Sequence, residues 1–400
     1  MNRTTLFALL KIIFSFLLII NKLETYAFLR AGCFGKPEKC LLIEKFPIFA
    51  IQFSVMKNII LTFILVAVFF GAQAQEKSYN VTCIAFYNLE NLFDTINDPN
   101  INDEEFLPEG SNRWTGDKYL EKLGHMADVI TQIGDEHIKG GPVCIGVSEV
   151  ENISALTDLA NQPKMKASGY VPILIEGPDR RGVDVGFLYR KDLFTLVNAT
   201  SHRLVVADQP NFRTRDQLLV KGIILGDTVH FIVNHWPSRS GGEKRSAPMR
   251  AATAQLARTT VDSIMAVNPN AKIFIMGDLN DNPTNASVYK VLKAARDKET
   301  AINITGLYNP MYNMFKVQGI GSNAYRDSWS LFDQIIVSKG LLGDDKSTLK
   351  LYKTLIFNRN FLKQTEGAFA GYPFRTYVGG QYQGGYSDHF PAYMFLIKEK

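Results

Sequence analysis

Residues 272–283 read Lys-Ile-Phe-Ile-Met-Gly-Asp-Leu-Asn-Asp-Asn-Pro. The largely apolar run Lys272–Met276 predicts a buried strand. After Gly277, a carboxylate at Asp278 and an amide at Asn280 lie two residues apart, so on extended backbone both side chains point the same way. Taken alone, the segment is typical of an Asx-rich turn. The rest of the chain decides whether it is more than that.

Similar apolar runs, rich in Val, Ile, Phe and Tyr, recur along the chain and alternate with helical patterns. The predicted strands are Val81–Tyr87, Val143–Val147, Val185–Tyr189, Val229–Asn234, Lys272–Met276 and Gln334–Val337. Apolar spacing predicts a helix over Lys118–Ile133 that ends at Gly134, and a second over Ser246–Met265 with Pro248 in its first turn. Strands alternating with helices indicate an α/β protein.

Polar residues follow these predicted strands. They are Asn88, Glu149, Arg190, His235, Asp278 and Asn280, in chain order. Such strand ends are where α/β proteins place their chemistry. Each residue alone has an ordinary explanation: Glu149 as an acid at a helix N-terminus, His235 as a structural turn residue. The tripeptide Ser387-Asp388-His389, near the C-terminus, is weak evidence by itself.

Together these residues fit metal-assisted phosphoester chemistry. A hard divalent cation takes oxygen ligands, which carboxylates at strand ends supply. A phosphoester needs an activated water and donors for the developing negative charge. The chain offers three carboxylates for metal and base, two histidines for phosphate and two amides as positioners: Glu149, Asp278, Asp388, His235, His389, Asn88 and Asn280.

Composition excludes several other classes. With 46% hydrophobic, 12% aromatic and 21% charged residues, the chain is not a disordered, collagen-like or coiled-coil protein. It is not polytopic either, because apolar runs of spanning length fall only within residues 1–74. The sequence contains no nucleophile elbow, Walker loop or Cys/His zinc pattern. Cys83 and Cys144 lie in apolar strand-like runs and are predicted to be free buried thiols.

The ordered motifs resemble the endonuclease/exonuclease/phosphatase superfamily, the metal-dependent phosphoesterases related to pancreatic deoxyribonuclease. The resemblance covers about Val81 to Ile397. The motifs are Phe86-Tyr-Asn88 with Glu90-Asn91, Ser148-Glu149, Gly186-Phe-Leu-Tyr189-Arg190, Asn234-His235, Gly277-Asp278-Leu-Asn280, Phe332-Asp333-Gln-Ile and Ser387-Asp388-His389. Ser148 stands where many members have Gln, which removes no metal ligand. These motifs resemble most closely those of secreted bacterial members of the superfamily.

The resemblance implies a four-layer α/β sandwich: two mixed β-sheets packed face to face, with helices outside. It implies Glu149 as the main Mg²⁺ ligand, helped by Asn88 and Asp388, with Mn²⁺ able to substitute. It implies that Asp278 orients or deprotonates the attacking water, with Asn280 beside it.

The resemblance also assigns the two histidines. His389 would hydrogen-bond the scissile phosphate, held in its tautomer by Asp333, and His235 would be a second phosphate contact or the general acid. Asp184 is the candidate carboxylate partner of His235. The residues predicted to bind substrate are Asn88, Tyr189, Arg190, Arg239 and Arg181.

The N-terminal segment carries the net charge of the chain. The formal charge is +5, and residues 1–74 hold eight Lys or Arg against three acids, so residues 75–400 hold 36 of each. Residues 56–74 have the basic start, short apolar core and small-residue ending of a signal peptide, which predicts a secreted or periplasmic protein. Residues 1–55 are interpreted as an upstream start codon chosen in error or a leader, with a membrane anchor at Leu6–Ile20 as the alternative. Residues 75–400 form the predicted domain.

Three substrate hypotheses remain open. A nuclease or general phosphodiesterase is favoured by the basic residues after His235, namely Arg239, Lys244, Arg245 and Arg250, although the neutral domain argues against tight duplex binding. A phosphomonoesterase or lipid phosphodiesterase, of the inositol phosphatase or sphingomyelinase kind, is the alternative, because residues 366–390 are rich in aromatic rings. A catalytically dead binding protein is the third. The expected partner is the phosphoester, including nucleic acid, for a monomer with no protein partner and no stable membrane association.

Overall fold

The computed structural model describes residues 77–400 and, nearer the N-terminus, the isolated positions Ser15, Val55, Asn58, Leu61 and Thr62. The chain divides into two compact units, Met1–Ser78 and Tyr79–Lys400. No helix in the described part is long and apolar enough to cross a bilayer. The interpretations of residues 1–55 and 56–74 concern segments that, those five positions apart, lie outside the described residues.

The second unit alternates strands and helices along the chain. Its main strands are β1 (Tyr79–Leu92), β2 (Cys144–Val150), β3 (Tyr170–Leu174), β4 (Asp184–Arg190), β5 (Thr195–His202), β6 (Gln217–Ile224), β7 (Asp227–His235), β8 (Lys272–Asp278), β9 (Ala294–Ala295), β10 (Leu307–Tyr308), β11 (Asn323–Tyr325), β12 (Ser328–Ser330), β13 (Asp333–Ser338), β14 (Lys350–Ile356), β15 (Tyr377–Val378), β16 (Gln381–Tyr382) and β17 (Ala392–Glu399). The helices are α1 (Gly116–Gln132), α2 (Ile153–Ala160), α3 (Pro163–Ala167), α4 (Glu243–Val267), α5 (Lys298–Thr300) and α6 (Met311–Lys316). Short 3₁₀ turns span Glu104–Phe106, Lys339–Leu341, Asn360–Leu362 and Gly367–Phe369, and π turns span Ser287–Val291 and Ala301–Thr305.

The strands form two large mixed sheets. The first has six strands in the order β14-β17-β1-β2-β4-β3, and the second has seven in the order β5-β6-β7-β8-β13-β10-β9. The pairs β1–β2 and β7–β8 are parallel. Parallel neighbouring strands have their carboxyl ends at the same edge of a sheet. In each sheet, the polar residues at the ends of two strands therefore lie side by side. Two small ribbons, β11-β12 and β15-β16, complete the strands.

The alternation of side chains along β1 shows how the layers pack. Ile84 and Phe86 point into a core shared with β7 and β8 of the second sheet, whereas Cys83, Ala85 and Tyr87 point to the opposite face, against α1. A third cluster packs α4 on the outer face of the second sheet. Successive side chains of a strand point to opposite faces of the sheet, so a strand buried on both faces contributes to two separate cores. The fold is therefore the predicted four-layer sandwich of helices, sheet, sheet and helices.

At Gly146 the two sheets approach closely. A Cβ built there would lie 2.7 Å from the Met276 sulfur and 3.0 Å from a Val233 methyl, both in the second sheet. Glycine is required because no side chain fits between the sheets at this point.

All six predicted strands and both predicted helices are present. Each strand except the first extends by one to three residues at one or both ends, so that Asp278 and His235 are the last residues of their strands. Helix α1 ends before Gly134, whose φ of +74° fits the predicted stop. Helix α4 begins at Glu243, so Pro248 lies beyond the first turn, contrary to the prediction. Cys83 and Cys144 are free and buried, as predicted.

Candidate active site

The site lies where four strands from both sheets approach their C-terminal ends and a fifth, β13, begins. Strands β1 and β2 of the first sheet supply Asn88 and Glu149, and β7 and β8 of the second supply His235 and Asp278, which are register partners. Strand β13 begins at Asp333, directly opposite Asp278 on the antiparallel partner β8. The parallel pairs and the packing of the sheets bring these residues together across nearly 250 positions of sequence.

Asn88 holds the two central carboxylates. Its fully buried Nδ2 lies 3.2 Å from Glu149 Oε1 and 3.2 Å from Asp278 Oδ2, donating to both. Its Oδ1 accepts the Glu90 N–H at 2.9 Å. Asn88 thus orients both carboxylates through its amide nitrogen, and its oxygen, which accepts one N–H and has a second lone pair, keeps its metal contact as a prediction.

Backbone N–H groups complete the hold on the carboxylates. Asn91 N donates to Glu149 Oε2 at 3.1 Å, and Asn280 N donates to Asp278 Oδ1 at 2.9 Å. Burial, reinforced by Asp333 and Glu149 and opposed by His389, raises the pKa of Asp278 to about 7. A carboxylate with a pKa near neutrality is suited to accept a proton from water.

Backbone strain is concentrated around these contacts. Glu90, Asn91, Glu149 and Asn280 have φ of +49°, +57°, +60° and +48°, in the left-handed region that non-glycine residues seldom adopt. Strained residues persist where the surrounding contacts over-determine them, which is common at functional sites. At Glu149 and Asn91 the strain turns the carboxylate and the N–H toward each other.

His235 is buried and neutral. Its Nε2 lies 3.7 Å from both Glu149 Oε1 and Asp278 Oδ2. Burial, with the Arg215 and Arg181 guanidiniums, lowers the pKa of His235 well below its ordinary value. The expected pair with Asp184 does not form: Asp184 Oδ1 accepts the Gly177 N–H at 2.9 Å, and His235 Nδ1 is buried with no hydrogen-bond partner among the described residues.

His389 and Asp333 are in direct contact. The Nδ1–Oδ2 distance is 2.6 Å, and both residues are buried. Burial alone would lower the pKa of His389, but the Asp333 and Asp388 carboxylates raise it well above its ordinary value. His389 is therefore an imidazolium with Nδ1 committed to Asp333, and its Nε2, 3.8 Å from Asp388 Oδ1, is able to donate to a phosphate oxygen.

The residues that fit a divalent cation are Glu149, His235 and Asp278, whose ligand atoms all lie within 4.8 Å of one another. Two carboxylates whose oxygens lie this close together are the donors that a hard cation would stabilise. Asp388, a predicted ligand, is not in this cluster: its carboxylate faces Arg375 at 3.4 Å and His389 Nε2 at 3.8 Å. The residues of the site thus fit a metal: Glu149, the predicted main ligand, belongs to this cluster, and the ligand roles of Asn88 and Asp388 stay predictions.

Asn280 and Arg239 meet behind the carboxylates. Asn280 Nδ2 donates to Trp236 O at 3.0 Å, which fixes this amide beside Asp278. Arg239, predicted to bind substrate, donates to Asn280 O at 2.9 Å and pairs with Asp281 and Glu243 at 3.2 and 3.0 Å. Its guanidinium is thus committed to the loop that carries Asn280.

The basic residues after His235 do not form one phosphate-binding group. Arg250 is buried, with Nε 2.8 Å from Asp281 Oδ1, an ion pair whose N–H is not aligned as a hydrogen bond. Lys244 and Arg245 lie exposed at the start of α4. Arg250 is thus structural.

Tyr189 and Arg190 are far from the site, contrary to the prediction. Strand β4 runs antiparallel to β2, with Tyr189 opposite Cys144 and Asp184 opposite Val150. The end of β4 therefore lies about five residues, or roughly 16 Å, from Glu149 along the sheet. Arg190 donates to Lys139 O and Ser168 O, and Tyr189 packs on Phe194.

Arg215 is a site residue that sequence reasoning missed. It is 5% exposed, donates to Trp236 O at 2.6 Å and pairs with Asp179 at 3.2 Å. Its charge reaches His235, as does that of the half-exposed Arg181, which lies 3.8 Å from Asp179. No motif marks Arg215, because it precedes its strand rather than following one.

Comparisons with known proteins agree with this architecture. A family model described as "Endonuclease/Exonuclease/phosphatase family" matches residues 83–398. No curated protein sequence matches the chain.

The chain is also similar, at low sequence identity, to several solved structures. The complex of D. rerio TDP2 with a single-strand DNA product has 14% identity and a TM-score of 0.49, covering 79% of this chain and 99% of its own. An endonuclease/exonuclease/phosphatase family protein of Bacteroides thetaiotaomicron has 18% identity and a TM-score of 0.47, covering 81% and 100%. A mannosyl-6-phosphatase of B. thetaiotaomicron VPI-5482 has 18% identity and a TM-score of 0.47, covering 79% and 99%.

Proposed function

Since the chain belongs to the endonuclease/exonuclease/phosphatase family of metal-dependent phosphoester hydrolases, we propose that it hydrolyses phosphodiester bonds, as a nuclease or general phosphodiesterase. The observation that carries the proposal is the contact set of one site. Asn88 donates to both Glu149 and Asp278, while Asp333, the register partner of Asp278, holds a protonated His389. Hydrolysis of an anionic ester requires a proton acceptor and a cationic donor in one site.

The residues divide the chemistry between them. A divalent cation, when bound by Glu149 and its neighbours, supplies Lewis-acid stabilisation of phosphoryl charge. Asp278 accepts the proton of the attacking water as the water oxygen bonds to phosphorus and the bond to the leaving oxygen breaks; the leaving oxyanion then takes a proton from solvent. His389 donates to a non-bridging phosphate oxygen, whose negative charge grows in the transition state. His235 is neutral, so it offers Nε2 as a ligand or hydrogen-bond partner rather than as a charge.

We propose Mg²⁺ as the cation, with Mn²⁺ able to substitute, since two carboxylates dominate the donor set. We also propose that the protein is exported through residues 56–74 and acts as a monomer outside the cytoplasm. Mass spectrometry of the mature N-terminus tests export: a chain starting at Gln75 supports it, and one starting upstream of Met56 contradicts it.

Non-lipid phosphodiesters are preferred to lipid substrates such as sphingomyelin, because most aromatic rings of residues 366–390 pack against other side chains. Tyr377 packs on Trp114 and Tyr382, and Tyr386 packs on Phe361 and His125. Rings committed in this way are not free to enter a membrane. The dead-protein alternative is disfavoured because the catalytic positions hold competent residues in contact.

The experiment is a substrate panel with purified protein and Mg²⁺ or Mn²⁺: bis-p-nitrophenyl phosphate, plasmid DNA, RNA, inositol phosphates and sphingomyelin. We expect diester hydrolysis that a chelator abolishes and that Asp278→Asn lowers by about 10³-fold, because the proton acceptor is lost. Asp208→Asn, at an exposed loop position, is the control. Full activity of Asp278→Asn would refute the mechanism, and turnover of monoesters or sphingomyelin alone would favour the alternative substrates.

A further inference from the structure

Helix α1 presents a stripe of polar side chains to the segment that precedes His389. Lys118, Glu121, Lys122 and His125 follow helical spacing along one face. Tyr382 donates to Glu121 at 2.7 Å, and Lys118 Nζ lies 4.7 Å from the centre of the Tyr382 ring. His125 Nδ1 lies 3.3 Å from Gly385 O. The stripe therefore contacts this segment from Thr376 to Tyr386, although the two are about 260 residues apart in sequence.

Lys122 is the buried member of the stripe. It is 1% exposed, and its Nζ donates to Thr376 Oγ1 at 2.6 Å and to Tyr386 O at 3.1 Å. Glu90 Oε2 lies 4.0 Å away. A buried ammonium is tolerated only where hydrogen bonds and an opposite charge compensate for lost hydration. The contacts of Lys122 with Thr376, Tyr386 and Glu90 are therefore needed to keep it buried.

Glu90 connects Lys122 to the catalytic residues. Glu90 Oε2 accepts the Thr376 N–H at 2.6 Å, and the Glu90 N–H donates to Asn88 Oδ1 at 2.9 Å. On the other side, Ser387 Oγ donates to Asn88 O at 2.7 Å. A continuous set of contacts thus runs from Lys122 through Glu90 to Asn88, and returns through Ser387 to the residues next to His389.

We propose that Lys122 and Glu90 are positioning residues that hold the segment 376–389, and with it His389, in register with Asn88 for catalysis. Both act through the loop and the amide they hold, because their contacts are with Thr376, Tyr386 and Asn88. The proposal rests on the proposed function, since catalysis is what the register serves. It assigns a role to a lysine that lies outside every motif of the sequence.

The test compares Lys122→Met and the double variant Lys122→Met/Glu90→Gln with wild type. The double variant leaves no stranded buried carboxylate, so it keeps the test informative if Lys122→Met does not fold. Lys164→Met, at an exposed lysine of α3, is the control. Two quantities are measured: kcat and KM on the best diester of the panel, and hydrogen–deuterium exchange of peptides spanning residues 376–389 in the metal-free protein.

We expect the Lys122 variants to lower kcat by about 10- to 100-fold with KM changed less than about threefold, the loss typical of a misplaced catalytic group. Exchange across 376–389 should rise while exchange in the central strands stays as in wild type. Unchanged exchange, or faster exchange with unchanged kcat, would overturn the proposal. If wild type hydrolyses no substrate, the proposed function fails, and the exchange data alone decide whether Lys122 holds the segment.

Discussion

Asn88 illustrates how one residue organises a site. Its amide nitrogen is the side-chain donor shared by Glu149 and Asp278, each at 3.2 Å. We expect Asn88→Ala to lower kcat by about 10- to 100-fold, as does loss of other groups that orient reacting ligands. Steady-state kinetics checks this, with the exposed Asn198→Ala on β5 as the matched control. An Asn88→Ala enzyme with wild-type kcat would contradict the orienting role.

Asp184 predicts a pH-dependent stability. Burial, with nearby Asp179 and Glu176, raises its pKa from 3.8 to about 7. Because the folded-state pKa is raised, the unfolded chain releases this proton first, so Asp184 costs stability increasingly from about pH 4 and fully above pH 7. Asp184→Asn should therefore stabilise the protein above pH 7 by about 1–3 kcal/mol and have no effect near pH 4.

Urea unfolding at pH 4, 6 and 8 measures this effect. The control is Asp192→Asn, an exposed carboxylate just after the other end of the same strand. An Asp184→Asn effect that is equal at pH 4 and pH 8 would show that the side chain does not titrate as described.

At the level of single residues, sequence alone identified the chemistry but not each partner. Asp278, Glu149, His235 and the Asp333–His389 contact follow from motifs that end or begin strands. That the Asn88 amide nitrogen donates to both carboxylates could not be predicted from sequence, because it depends on how the Glu90 N–H orients the amide. Arg215 was missed because a buried arginine that contacts a backbone carbonyl leaves no local pattern.

At the level of elements, strand direction decided which predictions failed. Tyr189 and Arg190 follow an apolar strand as Asn88 and Glu149 do, but β4 is antiparallel to β2. Strand composition does not encode direction, since a strand buried on both faces reads the same either way. The direction of β4 follows from the chain connections: α2 and α3 join β2 to β3, and β3 turns back to pair with β4. Which strands pair in this way depends on residues distant in sequence.

Two arginines near opposite ends of β4 provide a matched test of the direction of this strand. Arg181 lies before the strand, near His235, and Arg190 is its last residue, at the opposite edge of the sheet. We expect Arg181→Met to raise KM severalfold, because a half-exposed charge beside the site is removed. Arg190→Met should leave kcat and KM within about twofold and lower the free energy of unfolding by about 1–2 kcal/mol, through lost hydrogen bonds to backbone carbonyls. A larger kinetic effect of Arg190→Met would restore the sequence-based prediction.

At the level of the whole molecule, a bound cation would link the two sheets, because Glu149 belongs to the first and Asp278 and His235 to the second. Saturating Mn²⁺ should therefore stabilise the protein against unfolding, by about 2.7 kcal/mol at a concentration of 100 times Kd. Differential scanning calorimetry with and without chelator measures the shift, and Glu149→Gln should abolish most of it. A shift that survives in Glu149→Gln would place the cation elsewhere.

Residues 75–400 hold equal numbers of basic and acidic side chains. Phosphate recognition by this domain then depends on a few placed groups rather than a broad positive field. The zero net charge of this domain could be predicted from the sequence, because the charged residues of the N-terminal segment were counted separately. The layer order followed from the resemblance, whereas the sheet order, with β17 between β14 and β1, required the structure.

The pairing of the first and last strands has a consequence for when the protein becomes active. Strand β1 pairs with β17 along eight residues, and Ser387 contacts Asn88, so the opening and closing parts of the domain meet at the site. His389 follows Ser387 and precedes β17, which begins at Ala392. A chain still being synthesised therefore has no complete site until this segment has left the ribosome. The order of synthesis itself thus delays phosphoester hydrolysis until β17 is able to pair with β1.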